Sequence, residues 1–238
     1  MKKTIISCVL FLTAVTAFSQ TPMKTAAEAK LSASDLAVKI ADRILATTTY
    51  EFKNTKTGKT YKSVKNLPLD MNVKVACKYN NWHYTNGVTH IALMELADKT
   101  GAKKYDDYVL KNMNFVFNEG NLDFFKKQYD QAMKNEGWYG VRKLSWHMIF
   151  RGKRLDDNGP MGASLIDLQM KHPNNSFLNY INETAEHLNY GEPRLADGTI
   201  ARIWPHENTI WADDAFMAIS FLARMAKMTG DMSYINDA

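Results

Sequence analysis

The chain has 238 residues, 45% of them hydrophobic and 23% charged, with a formal net charge of +5. That length can bury a sizeable core, while the charge is mild and no Lys/Arg cluster alternates with aromatics, which excludes the phosphate footprint of a nucleic-acid binder. With two cysteines in all, Cys8 and Cys77, and the first of them in an expected leader, a disulfide framework and a Cys-based metal site are also excluded.

In chain order, Met1-Lys2-Lys3 forms a positive n-region, Ile5 to Phe18 an apolar h-region, and Ala17-Phe18-Ser19 a small-residue site before Gln20. Residues 1–19 therefore read as a secretory signal peptide, and the protein as bacterial and periplasmic or secreted. The apolar stretch is short for a bilayer and no later run is longer, so no membrane span is expected. Residues 20–35, rich in Ala, Thr, Lys and Ser, read as a flexible lead-in to a domain over 36–238. Ser34-Asp35 in front of Leu36, Ala37, Ile40, Ile44 and Leu45 predicts a capped amphipathic helix. Glu51 to Asn66, with Lys53, Lys56, Lys59, Lys62 and Lys65 among Thr, Asn and Gly, reads as a solvated loop.

Helical spacing dominates from there. One stripe runs from Val88 through Ile91, Leu93, Met94 and Leu96 to a stop at Gly101, and another from Tyr105 to Phe117. Leu122 to Arg142, with Phe124, Phe125, Tyr129, Trp138 and Tyr139, looks like an insertion, either a flap over a site or an extra packed element. Further helices are expected at Met161 to Met170, Phe177 to Leu188 and Ile210 to Met228. Strand-like alternation is scarce, so the fold class is all-α.

The helices repeat. Trp82, Leu93, Ala97, Thr100, Gly101 and Tyr105 recur as Trp211, Leu222, Ala226, Thr229, Gly230 and Tyr234, and a weaker copy places Asn86-Gly87 on Asn158-Gly159. Repeated helical hairpins stack because a single unit cannot bury its own apolar face. In this register Tyr84, Asp156 and Asp213 are equivalent, each where a loop enters the first helix of its hairpin, so they converge if those helices line one pocket. The two acidic entrances are doublets, Asp156-Asp157 and Asp213-Asp214, set beside large apolar side chains that disfavour the ion and suit a general acid. Helix capping is the plain alternative for at least one aspartate of each. Trp82, Tyr84, Trp204, His206 and Trp211 crowd the same mouth, and aromatic platforms beside carboxylates suit a sugar ring. His83 and His90 make no zinc pattern, and no phosphate loop or nucleophile elbow is present.

Three strings, Trp82-His83-Tyr84-Thr85-Asn86-Gly87, Arg154-Leu155-Asp156-Asp157-Asn158-Gly159-Pro160-Met161-Gly162-Ala163, and Asp197-Gly198-Thr199-Ile200-Ala201-Arg202 leading to Trp211-Ala212-Asp213-Asp214-Ala215-Phe216-Met217, resemble the unsaturated rhamnogalacturonyl hydrolases of glycoside hydrolase family 105, relatives of the family 88 unsaturated glucuronyl hydrolases. The resemblance runs from about Leu36 to the C-terminus. It implies an (α/α)6 toroid of helical hairpins, no metal or other cofactor, and removal of the unsaturated uronic acid that a pectin lyase leaves at a non-reducing end. A carboxylic acid would protonate one carbon of the C4=C5 enol ether, and water deprotonated by the resulting carboxylate would add at the other. The product hemiketal then opens and frees the sugar. This is not displacement at the anomeric carbon, so the rule relating carboxylate separation to stereochemistry does not apply.

By resemblance the acid/base is Asp213 and the second carboxylate Asp157, whereas the internal repeat favours Asp156 for the second place. Substrate contacts are expected from Trp82 and Tyr84 on the sugar, from Asp156, from His206 on the uronate or the attacking water, and from Arg202 on the uronate carboxylate, for which a guanidinium fork is suited. Trp211 would supply an apolar wall beside Asp213. An oligosaccharide is the expected partner, with no obligate protein partner. Six hairpins need roughly 330 residues at ordinary helix and loop lengths, so the sequence is expected to be C-terminally truncated and to hold about the first half of the toroid. Two alternatives stay open: a non-catalytic toroid module that binds carbohydrate or protein, and another toroid glycosidase or lyase.

Overall fold

The computed structural model describes residues 32–117, 120–152 and 154–238. The signal peptide expected over residues 1–19, and the lead-in as far as residue 31, lie outside them. By contacts, the residues from Ala41 to Ala238 form one compact unit, and the described residues before Ala41 fall outside it. Helix α1 (Ala33–Thr47) starts earlier than its sequence cap suggests. The Ser32 hydroxyl oxygen accepts the Asp35 N–H at 3.1 Å while the Asp35 carboxylate accepts the Ser32 N–H at 3.2 Å. That reciprocal capping box places the start at Ala33, ahead of the Ser34-Asp35 pair.

The lysine-rich stretch is not a bare loop. It contributes β1 (Phe52–Asn54) and β2 (Thr60–Tyr61), which form an antiparallel sheet with β3 (Val73–Val75) in the order β2-β1-β3. Asn54 Oδ1 accepts the N–H groups of Lys56 and Thr57, each at 3.0 Å, and this Asx turn brings the chain back on itself. Phe52 is fully buried among Phe115, Phe124 and Phe125. Strands of two and three residues are too short to register as alternation, while the five lysines stay exposed as expected.

The remainder is helical: α2 (Tyr84–Thr100), α3 (Lys104–Phe117), α4 (Asn121–Val141), α5 (Leu155–Lys171), α6 (Asn175–Tyr190), α7 (Ala212–Thr229) and α8 (Ser233–Asp237). This is the all-α class of stacked helical hairpins expected from the sequence, with α2/α3, α5/α6 and α7/α8 as the hairpins. The repeat shows in the turns. Gly101 and Gly230 end α2 and α7 with φ of 70° and 76°, and their N–H groups bond Ala97 O and Ala226 O, both at 2.8 Å. A side chain at either position would strain the left-handed turn.

Helix α5 is the centre, packed between α2 and α7 with α6 behind it. The first helices meet backbone to backbone near their starts. A Cβ on Gly87 would lie 2.3 Å from the Pro160 carbonyl carbon, and one on Gly159 would lie 2.4 Å from Met217 O. At the opposite ends, Lys171 reaches Asp98 at 2.9 Å and Arg224 reaches Asp167 at 2.7 Å. The three helices are thus parallel, and their N-termini share one end. Helix α5 begins six residues before the expected Met161. Pro160 lacks an N–H and reads as a break, but burial of every residue from Asp157 to Ile166 between neighbouring helices outweighs the lost bond.

The expected insertion is α4, and it has two parts. Phe124 and Phe125 pack into the core against Phe52 and Trp146. At Gly137 (φ 59°, ψ −151°) the helix breaks, and its final turn carries Trp138 and Tyr139 at the surface. No helix among the described residues is long and apolar enough to cross a membrane.

Candidate active site

The common end of α2, α5 and α7 brings the singled-out residues to one region. Arg154 and Trp211, the residues before α5 and α7, have extended backbone angles and no side-chain cap bond. The aspartates that follow sit in the first helical turn, where the helix dipole favours a negative charge. Their doublets divide in the same order. The first members, Asp156 and Asp213, are half-buried and exposed; the second members, Asp157 and Asp214, are buried. A capping role is not what occupies the buried pair, since each is held by an arginine.

Asp157 is ion-paired with Arg151 Nε, and its main-chain oxygen accepts Trp82 Nε1–H at 2.7 Å. Burial pushes its carboxyl above the usual range, Arg151 acts in the opposite direction, and Asp156 adds to the upward push. Asp214 accepts from Arg202 Nε at 2.5 Å and Nη2 at 2.6 Å, a bidentate fork. Arg202 Nη2 also lies 3.5 Å from Asp156 Oδ1, and the guanidinium stacks 4.1 Å from the Trp211 ring centroid. Asp214, with Asp156 and Asp213 contributing, raises the Arg202 pKa further. Arg202 itself is fixed by its loop, where its N–H bonds Thr209 O at 2.8 Å. One arginine therefore ties the start of α7 to the start of α5.

An open cleft of about 330 Å³ lies beside this bridge, lined by Arg154, Asp156, Glu192, Arg202, Trp204 and Asp214 among others. The Trp204 ring is 64% exposed and has the Arg154 guanidinium 5.9 Å from its centroid. Tyr84 opens α2 and packs on His83, ring centroids 4.5 Å apart. His83 caps α2, its Nδ1 accepting from Thr85 N–H, and partial burial lowers its pKa while Asp156 pulls the other way.

Of the expected site residues, Asp156 and Arg202 line the cleft, and Trp211 and the expected acid/base Asp213 stand beside Arg202 at the start of α7. Tyr84 and His206 are exposed near the same end without lining it. Trp82 is a correction. It is 0% exposed, enclosed by Phe117, Trp146 and Tyr180, and its indole N–H is spent on Asp157 O, so it supports α5 and offers no face to a sugar. Trp211 differs in detail from the expected apolar wall: its face is covered by the Arg202 guanidinium, and Asp213 beside it is exposed.

The structure adds residues that the sequence reading passed over. Asp214 was visible as half of a doublet, and helical periodicity places it one step inward of Asp213. Arg151 gave no signal, because it meets Asp157 through the 3-10 turn His147–Phe150 and not through a motif. Glu192 accepts from or donates to His187 Nε2 at 2.9 Å in the cleft wall; burial raises its pKa, His187 opposes this, and Asp214 reinforces it.

A family model described as Glycosyl Hydrolase Family 88 matches residues 55–238, more than half of the chain. The chain belongs to Glycosyl Hydrolase Family 88. A search of curated proteins returns no match. The Family 88 match takes in every helix from α2 to α8, so the three helix starts, the Arg202 bridge and the cleft all lie inside the glycoside hydrolase domain.

Proposed function

We propose that this Family 88 domain removes an unsaturated uronic acid from the non-reducing end of lyase-generated rhamnogalacturonan or related pectic oligosaccharides, by hydration of the C4=C5 double bond. Family membership supports a glycosidase, and the three strings similar to family 105 support the rhamnogalacturonyl specificity. The observation that carries the reading is the Asp156–Arg202–Asp214 bridge, which joins two acidic helix starts at one cleft. A carboxylate-rich site holding a cation is suited to an anionic sugar that must be both protonated and gripped.

In this reading Asp213, free at the rim, carries the reacting proton. Its carboxyl group delivers the proton to C4, the cation that develops at C5 takes water, and the Asp213 carboxylate recovers a proton from that water. The C5 hemiketal then opens and releases the remaining oligosaccharide. Asp157 is the second carboxylate, with the elevated proton affinity that its burial provides. Asp214 occupies Nε and Nη2 of Arg202, and in this reading the remaining Nη1 takes the uronate carboxylate. Trp204, exposed in the cleft wall, offers its ring to the sugar, and Tyr84 stands nearby at the start of α2. Export to the periplasm or beyond, proposed from the leader at residues 1–19, places the protein where lyase products arrive.

The test is the ultraviolet absorbance of the conjugated unsaturated uronide, followed when purified protein meets lyase-digested rhamnogalacturonan. Loss of absorbance with the parent, none with Asp213→Asn, and no cleavage of the saturated counterpart support the reading. Cleavage of saturated substrate with the absorbance unchanged would replace it with a conventional glycosidase.

A further inference from the structure

Asp157 is gripped from two directions, and one of the grips reaches into α4. Its main chain is held by Trp82 and its carboxylate by Arg151 Nε. The Arg151 guanidinium in turn lies 5.0 Å from the centroid of the Trp138 ring. Trp138 also meets His147 edge to face, ring centroids 5.8 Å apart, and the His147 Nδ1 is anchored to Leu144 O at 3.0 Å. Trp138 reaches this place because α4 breaks at the preceding residue, Gly137, whose φ of 59° only glycine holds without strain. A lone arginine meeting a carboxylate through one nitrogen has several rotamers open to it; stacking the guanidinium on an indole face selects one of them.

We propose that Arg151 and Trp138 form a positioning clasp for Asp157, in which the guanidinium holds the carboxylate and the indole delivered by the α4 break holds the guanidinium. Its consequence for the reaction rests on the reading of Asp157 as the second carboxylate. The clasp ties the insertion to the site: α4 does not cover the cleft but sets the state of a carboxylate beneath it. The charged and titratable groups around Asp157 are Arg151 after the 3-10 turn, Asp156 and Arg154 at the start of α5, and Tyr180 on α6. His83, the cap of α2, faces Asp156, His147 faces Arg151, and Arg202 reaches Asp156 from the α7 side. Among these, Arg151 is the group that draws the Asp157 pKa down most strongly.

The test titrates Asp157 itself, by carboxyl NMR of the full chain labelled at aspartate and assigned with Asp157→Asn, in parallel with the pH profile of kcat/KM on lyase-digested rhamnogalacturonan. Arg151→Gln is expected to raise the Asp157 midpoint by about one to three pH units. Trp138→Ala moves it the same way by a fraction of that, while Trp138→Phe and Arg151→Lys recover most of the parental value. The matching limb of the pH profile moves with the midpoint. A folded Arg151→Gln protein with an unmoved midpoint overturns the clasp. So does a Trp138→Ala protein that loses thermal stability while its Asp157 titrates as in the parent. If the midpoint moves as expected but Asp157→Asn keeps parental turnover, the clasp stands and the role of Asp157 in hydration falls.

Discussion

Helices α5 and α7 enter the cleft with the same doublet in the same register, yet the two entrances hold their buried aspartate differently. At α7 the partner, Arg202, offers a two-point fork, reaches across to Asp156 and stacks on Trp211. At α5 the partner, Arg151, meets Asp157 through Nε and stacks on Trp138 of a different element. A bidentate pair satisfies both charges and acts as a brace between helices. A single-point pair leaves the desolvation of Asp157 only partly offset, which is why burial still pushes its carboxyl upward. Asp214 is therefore held as a brace, and Asp157 is the one whose carboxyl burial pushes upward, as its proposed part in hydration requires.

The largest expected effect falls outside both pairs. Asp213→Asn is expected to lower kcat about 10²–10⁴-fold, the range for losing a general acid/base, with circular dichroism unchanged because the exposed side chain has no buried partner. Asp214→Asn, one residue on, is expected to act mainly on stability, and equal kinetic losses for the two with equal stability would break the division between first and second aspartates. Next in size, Arg202→Met strands the Asp214 charge in the protein and is expected to cost about 3–5 kcal/mol in urea unfolding at neutral pH. Arg151→Met removes one hydrogen-bonded charge contact and is expected to cost about 1–3 kcal/mol, since Asp157 can take up a proton.

A pH-dependent background must be separated from this comparison. His90 on α2 is fully buried with neither ring nitrogen bonded, and burial lowers its pKa to about 4. The unfolded chain takes up that proton near 6.5 and the folded chain only near 4, so the contribution is complete above pH 6.5 and declines as pH falls through this window. The loss is about 3 kcal/mol at roughly 1.4 kcal/mol per unit, and His90→Met is expected to abolish it in denaturation series across that range. Asp157 has the opposite sign. Its folded pKa lies above its unfolded value, so the fold binds its proton more tightly and gains stability as pH falls through the folded pKa. Asp157→Asn in the His90→Met background should remove that gain, the smallest of the effects and the sharpest contrast with Asp214→Asn, which destabilises at neutral pH.

How far these arrangements are legible in sequence differs by element. The hairpins were readable because Gly101 and Gly230 mark equivalent turns, and Asn86-Gly87 with Asn158-Gly159 mark the helix contacts where a Cβ would collide. Asp156 and the α7 doublet were readable because repeat and motif both place them at helix starts, and Arg202 because it closes the Asp197–Arg202 string. Trp82 was misread because composition shows an aromatic near a carboxylate without showing which side faces the core. The sheet escaped notice because Phe52 and Asn54 make only one full step of alternation before the Asx turn. Arg151 and Trp138 were out of reach because their meeting depends on the backbone break at Gly137 and a one-turn 3-10 element, and neither leaves a periodic trace.

The most direct measurement of the central claim is turnover in deuterated water with early product analysed by NMR. Hydration by Asp213 predicts one solvent deuteron at C4 of the released uronic acid in each turnover, delivered to a single face, with Asp213→Asn giving no product on the same timescale. Product released at the parental rate with C4 free of deuterium, its double bond intact, would contradict the account.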